Sequence, residues 1–205
     1  AGLIDLSTAE RIEVLRGPNS VLYRSSASLG VINIVRRTTV TPGRTVEAFT
    51  TQGNLGTSRG RVTGGGSGEG WSVKGTLAAS DITGADTTVV DGAAADGGPL
   101  TVVGLDREQT VHGSLAARLG DFSLNAYFND RTKQFPTAPY YSQPGDPRTQ
   151  GRDTRGFAEL RWSHEFEVGE LTARANYDYY RYLATWPRPD APRAFVIPHD
   201  TGEAD

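Results

Sequence analysis

The 205-residue chain contains no cysteine and no methionine. Without thiols there is neither a disulfide scaffold nor a thiolate metal site, and the composition is compatible with an oxidising compartment. No run of about 18 apolar residues occurs, which excludes a transmembrane helix and leaves a closed β-barrel as the way such a chain can span a bilayer. Only three histidines are present, His112, His164 and His199, and no two lie at metal-ligand spacing, so no metal and no cofactor is expected. The formal net charge of −3 supplies no basic footprint for nucleic acid. The missing initiator methionine and a start at Ala1-Gly2-Leu3, without a leader, suggest an internal piece of a longer product.

What the chain has is glycine, 25 residues of it, and alternation. Trp71, Val73, Leu77 and Ala79 alternate with Ser72, Lys74, Thr76 and Ser80. Phe122, Leu124, Ala126 and Phe128 alternate with Ser123, Asn125, Tyr127, Asn129 and Arg131, and Leu171 to Tyr179 repeats the pattern. Period-2 segments of about ten residues are the signature of strands that face lipid on one side and water on the other. Strands are predicted over 44–53, 57–66, 70–82, 106–119, 121–132, 153–166 and 170–183. The links after the second, fourth and sixth are tight, whereas Thr83 to Leu105 and Lys133 to Arg152 are long. Short turns on one side and long loops on the other are how outer-membrane barrels are connected. The loop Thr83 to Leu105, rich in Asp, Gly and Ala, is expected to be mobile. Tyr177, Tyr179, Tyr180, Tyr182 and Trp186, with Trp71 and Trp162 near strand ends, suit interfacial girdles or, equally, the core of a soluble sandwich.

Glu10 to Arg37 carries the most specific signal. Ile12, Val14 and Leu15 among Glu13 and Arg16 make a short strand that Gly17-Pro18 ends, Ser20 to Tyr23 a brief turn, and Val31-Ile32-Asn33-Ile34-Val35 a second strand. In order and spacing this stretch resembles the C-terminal end of the plug domain of TonB-dependent outer-membrane receptors. Their pattern runs Ile-Glu-Arg-Ile-Glu-Val-Leu-Arg-Gly-Pro, then Leu-Tyr-Gly, then Gly-Val-Ile-Asn-Ile. Arg24 stands where glycine is usual, and Ser25-Ser26-Ala27-Ser28-Leu29 replaces a glycine-richer turn. The resemblance implies an all-β, antiparallel transmembrane barrel of which about seven strands are present (42–205), preceded by the end of a small α+β plug (1–41). It also places the long loops outside the cell.

It further implies active uptake of a scarce large solute, such as a ferric siderophore, across the Gram-negative outer membrane. The TonB-ExbB-ExbD complex would act through an N-terminal segment that this chain lacks. Glu13 and Arg16 would form a releasable latch between the plug and the barrel wall it meets, with Glu47 or Glu159 as partners; an ordinary exposed pair is the plainer alternative. Pro136-Thr137-Ala138 followed by Asp146-Pro147-Arg148 resembles a segment of some of these receptors, and makes Tyr140, Tyr141 and Arg148 candidate ligand contacts at the barrel mouth. The same prolines and ion pair also suit a loop that only holds its own shape. A passive porin and a soluble all-β binding module are the competing classes. Catalysis is not expected: Gly113-Ser114-Leu115 lacks a nucleophile-elbow pattern, and Gly64 to Gly68 lacks the Lys-Ser/Thr of a phosphate loop.

Overall fold

A computed structural model describes residues 9–17, 30–36, 42–137, 139–188 and 195–204. The chain divides into two compact units, Ala1–Thr39 and Val40–Asp205. In the smaller, β1 (Ala9–Arg16) pairs antiparallel with β2 (Gly30–Arg36). Ile12 faces Ile34 and Val14 faces Ile32, so the β-branched residues form one cross-strand face. The strand stops where expected, at Gly17, whose φ of +97° few other residues would adopt. The turn read at Ser20 to Tyr23, Arg24 and the segment Ser25 to Leu29 lie outside the described residues.

The larger unit holds β3 (Gly43–Gln52), β4 (Thr57–Gly68), β5 (Trp71–Ile82), β6 (Thr87–Val90), β7 (Leu100–Val103), β8 (Glu108–Leu119), β9 (Phe122–Gln134), β10 (Gln150–Phe166), β11 (Gly169–Trp186) and β12 (Phe195–Ala204). Eight of these form one antiparallel sheet in the order β12-β11-β10-β9-β8-β5-β4-β3. Each strand lies beside its neighbour in sequence, except that the β6-β7 hairpin is inserted between β5 and β8. The architecture is all-β and antiparallel.

Register joins the separately alternating strands into two faces. Trp71 pairs with Leu119, Leu119 with Phe122, and Phe122 with Trp162, a straight row across four strands at the short-turn end. Val62, Leu77, Gly113 and Phe128 form another row, and Leu115, Ala126, Ala158 and Tyr177 a third. From Val111 to Leu119 this face stays apolar for eight residue steps, about 26 Å along the strand at ~3.3 Å per residue. Tilted by about 40°, that spans about 20 Å, near the ~25 Å band of an outer-membrane barrel.

Burial is inverted relative to a water-soluble sheet. On the apolar face Val46 is 77 % exposed, Leu119 70 % and Leu77 69 %, whereas the opposite face buries Thr76, His112 and Asn129 to 6 %, 5 % and 1 %. Among the described residues the buried apolar side chains include Val102, Ala184, Trp186 and Pro187, all at the long-loop end.

Four expectations need correction. The sheet has eight strands rather than about seven; Pro198 and the charges around it disguise β12, and proline can sit in a strand that ends the described sheet. The loop expected to be mobile folds into the β6-β7 hairpin, with Val102 buried. The aromatic cluster splits, because Tyr177 and Tyr179 lie on the apolar face and Tyr180, Tyr182 and Trp186 on the polar one. Finally, the β3-β4 link at the long-loop end is only Gly53 to Gly56, so not every connection there is long.

Candidate functional site

The long-loop end gathers the side chains with most chemistry. The segment after β9 is tied at both ends to its neighbours. Phe135 N donates to Thr149 O at 3.0 Å, and Gln143 N donates to Pro187 O at 2.7 Å, just past β11. Trp186 sits beneath, its ring 5.5 Å from Phe135 and 5.2 Å from Tyr140. A Cβ on Gly145 would meet Val102 Cγ2 at 3.4 Å, so the hairpin β6-β7 and this second loop pack together into one surface.

Within the loop a 3-10 turn spans Pro139–Tyr141, and two successive tyrosines adopt left-handed backbone, φ 55° at Tyr140 and 61° at Tyr141. For residues bearing a Cβ each such conformation costs on the order of 1–3 kcal/mol and persists where the surroundings over-determine it. The two rings then diverge in role. Tyr140 leans on Trp186, while Tyr141 is 91 % exposed.

Arg148 is committed within the loop. Its Nε donates to Asp146 Oδ1 at 3.0 Å, its Nη2 to Oδ2 at 2.6 Å, and its backbone N to Oδ1 at 2.8 Å. The guanidinium hydrogen bonds hold the Asp146 carboxyl below its usual range. A depressed folded-state value means the pair contributes at and above the ordinary carboxylate range and is lost as pH falls through the lowered value. The Tm difference between wild type and Asp146→Asn should therefore be constant from about pH 7 to pH 5 and shrink below about pH 4; a difference that does not change with pH would show that the carboxylate's charge contributes nothing to the loop.

Two further charge systems mark this end. On the polar face Arg131 Nη2 donates to Glu108 at 2.8 Å and its Nη1 lies 3.5 Å from Asp153, which accepts from the Tyr180 hydroxyl at 3.2 Å. Lys133 Nζ donates to Asp106 Oδ1 at 2.5 Å, and Asp106 accepts from Ala85 N at 2.9 Å, fastening the base of the hairpin. On the apolar face, just beyond its band, Arg107 clasps Asp81 and Arg152 clasps Asp130 through paired hydrogen bonds. None of these residues stood out in the sequence, although charges at alternating positions just past an apolar strand segment would have signalled them.

Glu13 and Arg16 do not pair with each other. Three residues apart on β1, they project to opposite faces. Glu13 instead accepts from Arg11 Nε at 2.6 Å and, across the ladder, from Asn33 Nδ2 at 2.8 Å. Glu47 and Glu159 both lie on the polar face of the large sheet, and Glu159 is 3.8 Å from Arg174. His164 stacks on Trp162 and lies 2.6 Å from Asp121, beside the short turns. Among the described residues no group of three or more His, Asp or Glu is placed to hold a metal ion.

No family model and no curated protein matches this chain. Solved structures do. The pyoverdine outer membrane receptor FpvA of Pseudomonas aeruginosa PAO1, bound to pyoverdine, matches 98% of this chain and 31% of its own with a TM-score of 0.63 at 15% identity. A mutant of the ferric enterobactin receptor PfeA of Pseudomonas aeruginosa, in complex with enterobactin, matches 96% of this chain and 32% of its own, with a TM-score of 0.61 at 17% identity. The chain thus spans about a third of the length of these receptors. Over that third it has the fold that these two outer-membrane receptors share.

Proposed function

We propose that this chain is part of a TonB-dependent outer-membrane transporter of a Gram-negative bacterium, in which residues 1–41 end the plug and 42–205 begin the barrel. The observation that carries the reading is the inverted sheet, with exposed apolar side chains in register on one face and buried polar ones on the other. A soluble binding module would bury the first face and wet the second. The short turns then lie in the periplasm and the surface made by Tyr141, the Asp146-Arg148 pair and the β6-β7 hairpin lies outside.

The solute most in keeping with the fold is a ferric siderophore, the ligand class named for both structural neighbours. Tyr141 presents its open ring face to it, while Tyr140, Trp186 and the Arg148-Asp146 pair hold the loop in place. The TonB-ExbB-ExbD complex supplies the energy through a plug segment. Glu13 and Arg16, on opposite faces of β1, can each meet a different partner when the plug moves.

The test is accumulation of a radiolabelled ferric siderophore by cells expressing the full-length gene product, with and without the proton-motive force. Several-fold accumulation only in energised cells is expected, and Glu13→Gln with Arg16→Gln should reduce it while leaving surface binding intact. Uptake unchanged by de-energisation would identify a passive pore. No uptake would direct the search to cobalamin-like compounds or oligosaccharides.

A further inference from the structure

Two grooves on the apolar face of the large sheet meet end to end. One, of 540 Å³, is lined by Val62, Gly64, Gly75, Leu77, Gly113 and Phe128 among others. The next, of 550 Å³, includes Gly60, Ala79, Asp81, Val111, Asp130 and Arg152. Register places the row Val62-Leu77-Gly113-Phe128 directly beside the row Gly60-Ala79-Val111-Asp130, so the two volumes form one furrow along the strands. It starts in the middle of the apolar band and finishes among charges at the rim.

Missing side chains make the furrow. A Cβ on Gly60 would meet nothing within 4 Å, and on Gly64 and Gly75 nothing nearer than 3.8 and 3.9 Å. Valine or leucine would fit there and suit a strand better, because glycine weakens a strand and marks sites where another group comes close. At the charged end Arg152 is 58 % exposed and directs Nε and Nη2 onto Asp130 at 2.9 and 2.7 Å. A guanidinium has five N–H donors, so this bidentate clasp fixes its orientation and leaves the remaining donors for a second oxyanion.

We propose that the furrow binds one phosphate-bearing lipid of the leaflet on the long-loop side, an acyl chain lying over Gly64 and Gly75 and the phosphate on Arg152. The inference rests on reading the apolar face as the membrane face. The occupant follows from polarity: the furrow is apolar along one half and at the headgroup level of the other carries the paired charges Arg107-Asp81 and Arg152-Asp130, where the half-exposed Arg152 offers its remaining guanidinium donors, which matches an amphiphile set along the membrane normal. A second copy of the chain would have no such asymmetry to satisfy.

The experiment uses the full-length protein, purified in detergent and titrated with dimyristoyl phosphatidic acid under native mass spectrometry. Wild type should hold one lipid. Gly60→Val with Gly75→Val, which fills the furrow without a close contact, and separately Arg152→Gln, should each weaken retention about tenfold. Dimyristoylglycerol, lacking the phosphate, should bind about tenfold more weakly than the phosphatidic acid, and inorganic phosphate should not displace it. Equal retention by all variants, equal binding of dimyristoylglycerol, or a protein dimer in place of the lipid adduct would overturn the proposal. Insertion into phospholipid vesicles is measured alongside. Variants that insert but keep the lipid overturn this site alone, whereas a wild type that does not insert overturns the membrane reading beneath it.

Discussion

Leu77→Arg should lower the stability of the lipid-inserted protein by about 2–4 kcal/mol, the cost of a cationic side chain near the bilayer midplane of a barrel. Leu77 lies one rung from the centre of the apolar band and is 69 % exposed in the sheet. That exposure makes the experiment decisive. An exposed leucine in water tolerates arginine within about 0.5 kcal/mol, because no packing is lost and the charge stays hydrated. Asn125→Arg is the matched control on the opposite face, where its cross-strand neighbour is Glu159, and its effect should stay within about 0.5 kcal/mol. Denaturant unfolding from phospholipid vesicles reads both. If the two substitutions cost equally little, the apolar face lies in water and the barrel reading is lost.

Trp186→Ala should cost about 3–5 kcal/mol, the range for deleting a large buried aromatic side chain. Trp186 is 2 % exposed and carries Phe135 and Tyr140 on its ring. The loss should concentrate at the long-loop end, because the side chain joins β11 to the segment 135–149 rather than to the body of the sheet. Protease cleavage within that segment should accelerate by orders of magnitude, since each 1.4 kcal/mol changes an opening equilibrium about tenfold. Tyr141→Ala, which removes a 91 % exposed ring, should leave the cleavage rate and the stability near those of wild type. A Trp186→Ala protein as resistant as wild type would show that the loop stands on its own hydrogen bonds.

The face assignments were legible in the sequence because a strand has only one alternation to read. Trp71-Val73-Leu77-Ala79 and Phe122-Leu124-Ala126-Phe128 sit on the face expected of them, and register then joins the two sets. Strand ends were less legible. β9 runs to Gln134 rather than 132, β10 begins at Gln150 rather than 153, and β11 continues to Trp186 rather than 183. In each case the ladder continues past the expected limit on residues beyond the apolar band, such as Lys133 and Arg152, held by ion pairs. The β6-β7 hairpin was hidden differently. Its runs Thr87 to Val90 and Leu100 to Val103 are β-branched apart from Leu100, but the glycine- and aspartate-rich stretch between them dominates the composition.

At the candidate site, the Asp146-Arg148 pair could be seen from spacing. The division of labour between Tyr140 and Tyr141 could not, because it depends on Trp186, some forty-five residues away in sequence. The partners of Glu13 were within reach, since alternation alone sends Arg16 to the other face and leaves Arg11 on the same one.

One strand has a mechanical consequence. β4 carries Gly60, Gly64, Gly65, Gly66 and Gly68, so between positions 64 and 66 its rungs with Thr45, Val46 and Arg44 on one side and with Val73, Lys74 and Gly75 on the other lack side-chain pairs. Cross-strand pairs supply much of a sheet's resistance to shear, and here backbone hydrogen bonds bear it alone. The sheet is therefore most compliant along β4. Bending and twisting concentrate there, its amides exchange faster than those of β9 and β10, and strain imposed on the sheet is relieved at this seam while the ion-paired rim of β8 to β11 keeps its shape.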